Sequence, residues 1–174
     1  MLHKLAGGDR RSVGRVAQVV AEVLAESDLF DDLLHGLLDE DPVIRMRSAD
    51  AVEKVTAVHP EYLQAYKAIL IQDVACSRQQ EVRWHVAQMV PRLELSAQER
   101  EGVVGILLGY LEDHSRIVKT FSMQALADLA ENDRELCARV LPILEDLAAT
   151  GSPAMRSRGR KLVARLSSIA FEVT

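Results

Sequence analysis

Histidine and cysteine are the residues of this 174-residue chain best suited to metal binding or nucleophilic chemistry, and their spacing decides whether they do either. The histidines are His3, His35, His59, His85 and His114, and the cysteines are Cys76 and Cys137. No HExxH, CxxC or Cys/His cluster links them, so zinc ligation and an activated thiol both lack their usual sequence frame. A Gly-rich phosphate loop and a GxSxG nucleophile elbow are missing too. The thiols read as reduced, small hydrophobes in a cytoplasmic setting. The sequence therefore calls for no catalytic residue, no cofactor and no metal, and it points to a non-enzymatic role.

Charge carries the remaining chemistry. Two acid–cation pairs, Asp39 with Arg45 and Asp113 with Lys119, could form an anion or catalytic site, or could tie turns together. The net charge is −5, which argues against general nucleic-acid or anionic-membrane binding. It is unevenly spread. Residues 152–174 carry Arg156, Arg158, Arg160, Lys161 and Arg165 against Glu172, a local +4 that leaves −9 on residues 1–151. Arg-rich faces contact phosphates, but aromatic residues for base stacking are not interleaved here. A solvated helical cap, or a docking edge for an acidic partner, is the plainer reading.

The elements that position these residues come from self-similarity. In the segment 44–55, Ile44, Ser48, Ala51, Val52 and Val55 lay one apolar or small stripe along a helix of 3.6 residues per turn. The same template returns as Val82, Val86, Met89, Val90 and Leu93, as Val118, Ser122, Ala125, Leu126 and Leu129, and as Met155, Gly159, Leu162, Val163 and Leu166. A looser copy starts at Ser12. The starts lie 32–38 residues apart, room for two helices and two short turns. Apolar ridges between the copies supply the second helices: Leu29 to Leu38, Leu63 to Val74, Val103 to Leu111 and Val140 to Leu147.

Helix chemistry sets the boundaries. Asp41-Pro42 and Ser152-Pro153 place a cap before Pro at the first helical position, and Ser96 with Glu99 is a capping-box pattern. Helices are expected near 10–25, 28–39, 42–57, 60–76, 80–93, 96–112, 115–130, 133–149 and 153–169. Pro91 and Pro142 fall inside two of them, where each should kink or locally open its helix. The first nine residues have no apolar signal-peptide core, and no apolar run reaches the roughly 18 residues of a membrane span.

Leu38-Asp39-Glu40-Asp41-Pro42-Val43-Ile44-Arg45 and Leu111-Glu112-Asp113-His114-Ser115-Arg116-Ile117-Val118-Lys119 resemble the inter-repeat signature of the HEAT repeat family. Cys76-Ser77 to Arg83 and Thr150-Gly151 to Arg156 keep the cation and replace the acid by Ser or Thr. The resemblance covers about residues 10–169. It implies an all-α fold, a right-handed α-solenoid of about four helical pairs near 10–39, 42–76, 80–112 and 115–149, closed by a cap helix at 153–169, in a single domain over 1–174. It also implies that the second helices line a concave face.

On that face, residues ten before each junction cation are His35, Asp73, Gly109 and Asp146, and those fourteen before include Asp31 and Gly105. Tyr66 lies about one turn further back. Two glycines on one helical face suggest close backbone approach by a partner or a neighbouring helix, or are simply tolerated there. Trp84, the only tryptophan, sits at the third template position, expected to be partly exposed near Met46 of the previous copy. Tryptophan is favoured at binding hot spots and also seals gaps between repeats. The leading expectation is a scaffold that binds a protein partner on its concave face. The alternatives are nucleic-acid binding through the basic C-terminal helix, or an enzyme resembling the HEAT-like DNA glycosylases or bilin lyases, whose basic groove and motifs this sequence does not match.

Overall fold

Side-chain caps fix where the five longest described helices begin. In the computed structural model, which describes residues 1–8 and 12–171, Asp41 accepts from the Val43 N–H at 2.8 Å and Asp133 from Leu136 at 3.0 Å. Ser115 and Ser152 accept more loosely, from Val118 at 3.5 Å and Met155 at 3.4 Å. Ser96 and Glu99 complete the capping box. Each cap satisfies N–H groups that a first helical turn leaves without a partner.

The described residues form helices and turns and no strand. The α-helices are α1 Val16–Ala25, α2 Phe30–His35, α3 Pro42–Val58, α4 Lys67–Gln72, α5 Gln80–Met89, α6 Ala97–Leu111, α7 Arg116–Ala130, α8 Arg134–Thr150 and α9 Pro153–Phe171. They belong to two compact units, Met1–Glu94 with α1–α5 and Leu95–Thr174 with α6–α9. Residues 10 and 11 of the first expected helix, and Glu172, lie outside the described residues. None of the described helices is long and apolar enough to cross a membrane.

In the first unit α1 packs on α3 and α3 on α5, through fully buried Val16, Val19, Val23, Val52, Val55 and Val86. The expected helices at 28–39 and 60–76 are broken differently from the sequence expectation. The short α2 is flanked by 3-10 turns at Ser27–Leu29 and Gly36–Leu38. A seven-residue 3-10 helix, Pro60–Tyr66, precedes α4. Such a run is long for that geometry. Aromatic packing holds it: Phe30 meets Tyr62 and Tyr66 edge-on at centroid distances of 5.3 and 5.7 Å.

The first helix starts at Val16, six residues later than the apolar pattern suggested. The chain before it turns through Gly14, at φ +55°, because Arg47 gathers the N-terminal backbone. Arg47 is 3% exposed. Its Nη1 donates to the Leu5 and Gly7 carbonyls at 2.8 and 2.7 Å, and its Nε to that of Ser12 at 3.0 Å. Leu5 is thereby buried completely, and Lys4 adds an ion pair to Glu22 at 2.7 Å.

The two internal prolines behave differently. Before Pro91 the α-helix gives way to a 3-10 turn, Val90–Arg92. That turn is tied to α3 by Arg92, which pairs with the Glu53 carboxylate and donates to the Glu53 carbonyl at 2.8 Å. Pro142 instead sits inside an uninterrupted α8. Its ring face is exposed, so the turn can give locally without opening the core.

In the second unit α7 and α8 pack against each other and both pack on α9, while α6 packs on α7. Gly159 makes the α9 contact close. A Cβ there would lie 2.9 Å from Ala148 Cβ and 3.1 Å from Met123 Cε. The template residues Val118, Ser122, Ala125, Leu126, Met155, Leu162 and Leu166 are all buried.

The junctions repeat one hydrogen bond. The side chains of Asp39, Ser77 and Asp113 each accept the N–H two residues on, at 2.8, 3.2 and 2.7 Å. Arg45 and Arg83, six residues after the first two, donate to the carbonyls of Asp39 and Ser77 at 2.6 Å each. Arg45 and Arg83 therefore tie turn backbone, and Arg45 bonds to the Asp39 carbonyl and not to its carboxylate. Serine does the acid's work at 77 because only an acceptor oxygen at that reach is needed. Gln79 joins two junctions, accepting from Arg45 at 3.1 Å and donating to the Pro42 carbonyl at 2.7 Å. Thr150 departs from the pattern and bonds back to the Asp146 carbonyl at 2.9 Å.

Candidate functional site

Helical periodicity puts Met46, Asp50 and Lys54 on one face of α3, and Glu81, Trp84 and His85 within one turn of α5. Where α3 and α5 pack, these residues line a cleft of about 320 Å³, with Ser12 and Val13 at its lip. Trp84 is half-buried and Val13 is 61% exposed. Trp84, Met46 and Val13 form an apolar lining. The charges around it are largely matched: Asp50 pairs with Lys54 at 2.7 Å, and Arg47 is held by carbonyls. Glu81 completes a set of two acids and two cations, so the cleft has no net charge to offer a ligand.

His85 forms the inner edge. It is 9% exposed, and burial pushes its pKa down to about 4, against the opposing pull of Asp50, Glu53 and Glu81 and with a small push from Lys54. The ring is therefore neutral at pH 7. Its folded pKa lies below the unfolded value near 6.5, so the unfolded chain binds the proton more tightly. Stability is complete above about pH 6.5 and falls as pH drops toward 4, by up to about 3 kcal/mol. Urea unfolding of wild type and His85→Leu at pH 7 and pH 5 is expected to show a smaller acid loss in the variant. Equal losses would mean that His85 is not the group responsible.

The other candidates fall in separate places. Within the first unit His35 and Tyr66 come together, ring centroids 6.5 Å apart, with Asp31 between them. Tyr66 Oη donates to Asp31 Oδ1 at 2.9 Å, and His35 Nδ1 lies 2.9 Å from the Asp31 carbonyl. Burial first, then Asp31, raises the Tyr66 pKa, so the phenol stays protonated and structural. Asp73 is exposed and outside this group.

Within the second unit Gly105 and Gly109 are exposed on α6, and a Cβ on either meets nothing within 4 Å. No neighbouring helix explains them. Gly105→Ala and Gly109→Ala are each expected to stabilise the chain by roughly 1 kcal/mol through helix propensity alone, read as a higher urea midpoint. An unchanged or lower midpoint would contradict the open geometry. Asp146 is exposed on α8. Glycines that do mark close approach include Gly159 and Gly36, the latter against Ser48 and Leu2, as well as Gly14 against Arg47 and Gly151 against Leu147 and Met155.

Val13, Asp50, Lys54 and Glu81 were not singled out in the sequence. Asp50 and Lys54 were findable, because they follow Met46 at four-residue steps on the face that Trp84 shares. Val13 was not, since its place depends on Arg47. Among the described residues no group of three or more His, Cys, Asp or Glu could hold a metal ion. Cys76 and Cys137 are free thiols, the first exposed and the second buried. Comparisons with protein families, with curated proteins and with solved structures find no match.

Proposed function

We propose that the chain is a HEAT-type interaction module, cytoplasmic and non-enzymatic, that takes an aliphatic side chain of a partner protein into the Trp84 cleft. The observation that carries this reading is the cleft itself: an apolar lining with a half-buried tryptophan, and surrounding charged side chains that sum to zero. Such a pocket rewards an uncharged apolar anchor and gives no advantage to a phosphate or a cation. Rigid helices on both sides keep the ordering cost low. The recurring junction bond at Asp39, Ser77 and Asp113 supports the repeat reading, and the right-handed solenoid is part of the same proposal. The second-helix residues are the alternative docking positions, His35, Tyr66 and Asp73 in the first unit and Gly105, Gly109 and Asp146 in the second.

Affinity capture from native lysate, after nuclease treatment, tests the cleft by comparison of wild type with Val13→Asp. The substitution places a charge on an exposed lip residue and should not disturb folding. A stoichiometric protein held by wild type and lost from the variant supports the reading. Equal capture by both overturns the cleft as the docking site. Material that disappears with nuclease favours nucleic acid, for which the basic face of α9 is the specific observation.

A further inference from the structure

Independently of that reading, we propose that the cleft between α7 and α9 binds a phosphate dianion, free or as the monoester of a small molecule. Arg158, Lys161 and Arg165 recur at three- and four-residue steps and so share one face of α9. That face meets the Thr120–Gln124 face of α7 across a cleft of about 510 Å³, in the size range of small-ligand sites.

The arginines are braced from behind. Arg158 Nη1 donates to Gln124 Oε1. Gln124 Nε2 donates in turn to Asp128 Oδ1 at 2.8 Å, and Arg165 Nη2 donates to the same oxygen at 2.7 Å. This chain uses one edge of each guanidinium and fixes its direction, leaving further N–H groups for a ligand. Arg165 remains under-satisfied: its Nε is buried with no acceptor, a cost to stability that leaves this guanidinium incompletely paired. Lys161 is exposed and has no partner among the described residues. The hydroxyls of Thr120 and Ser157 line the same cleft.

Charge selects the ligand. Three cations against the single carboxylate of Asp128 leave a local +2, which a phosphate dianion or monoester at close to −2 neutralises and a diester at −1 does not. Phosphate is also the anion that arginine forks match in shape.

Isothermal titration of the full chain with phenyl phosphate, inorganic phosphate and a thymidine oligonucleotide tests the assignment. Phenyl phosphate is expected to bind, and Lys161→Gln to weaken it about tenfold by removing one charge-assisted bond. Arg158→Gln is expected to weaken it at least as much, with the thermal melt of the Lys161 variant unchanged. Tighter binding of phenyl phosphate than of inorganic phosphate assigns the cleft to an organic monoester, and equal binding assigns it to the free ion. No heat at millimolar phosphate, or equal affinity in Lys161→Gln and wild type, overturns the proposal. An oligonucleotide that binds more tightly than either phosphate, with steep salt dependence, overturns it in favour of a nucleic-acid surface.

Discussion

Replacing Arg47 with alanine is expected to lower unfolding stability by about 3 kcal/mol and to release the N-terminal segment to proteases. The side chain is 3% exposed and supplies the donors for the Leu5, Gly7 and Ser12 carbonyls. Without it those carbonyls must stay unpaired or find water, and water can reach them only if the segment lifts. Lifting exposes Leu5, which is buried completely. The Lys4–Glu22 ion pair is part-exposed and too weak to hold the segment alone. Arg47→Lys should recover only part of the loss, because one ammonium cannot reproduce the spread of a guanidinium over separate carbonyls. Urea unfolding combined with limited proteolysis reads both effects. A loss below about 0.5 kcal/mol, the scale of an ordinary surface substitution, would show that the segment is not held by Arg47.

Ending the chain after Ser152, which removes α9, is expected to cost the second unit about 6 kcal/mol, enough to unfold it or drive it to associate. Met155, Leu162 and Leu166 are 5, 3 and 0% exposed. Three large apolar side chains at roughly 2 kcal/mol each account for the figure. The faces of α7 and α8 they cover would be left open to water and to other copies. Gly159→Val separates packing from mere length. It keeps the helix but forces a side chain into Ala148 and Met123, for an expected loss of about 2 kcal/mol. Size-exclusion chromatography and urea unfolding would contradict this account if the truncated chain stayed monomeric and equally stable.

The apolar spacing made the all-helical character and most buried positions legible. Ser48, Ser122 and Gly159 stand at the fifth template position and are all buried, whereas the copy from Val82 places the larger Val86 there, also fully buried. The 3-10 character of residues 60–66 was not legible. Three- and four-residue hydrogen-bond steps leave nearly the same apolar pattern, and the choice was made by Phe30, thirty residues earlier. Arg47 read as one more charged residue on a helix, since its partners lie about forty residues away in sequence and are backbone atoms that carry no side-chain signature. Trp84 was visible because it is unique and shares a template position with Met46. The rest of its cleft needed the N-terminal segment to be placed first. Gly105 and Gly109 read as close-approach residues, whereas the structure leaves them in the open, and Gly36 and Gly159 are among the glycines that are closely approached.

The most direct test of the interaction reading is site-specific photo-cross-linking from position 13 in the native cell, with position 105 as the comparison. The account predicts a discrete cross-linked polypeptide from position 13, weaker from position 105, and lost from position 13 when Trp84 is replaced by alanine. A strong cross-link from position 105 with none from position 13, or a position-13 product indifferent to Trp84, would contradict it.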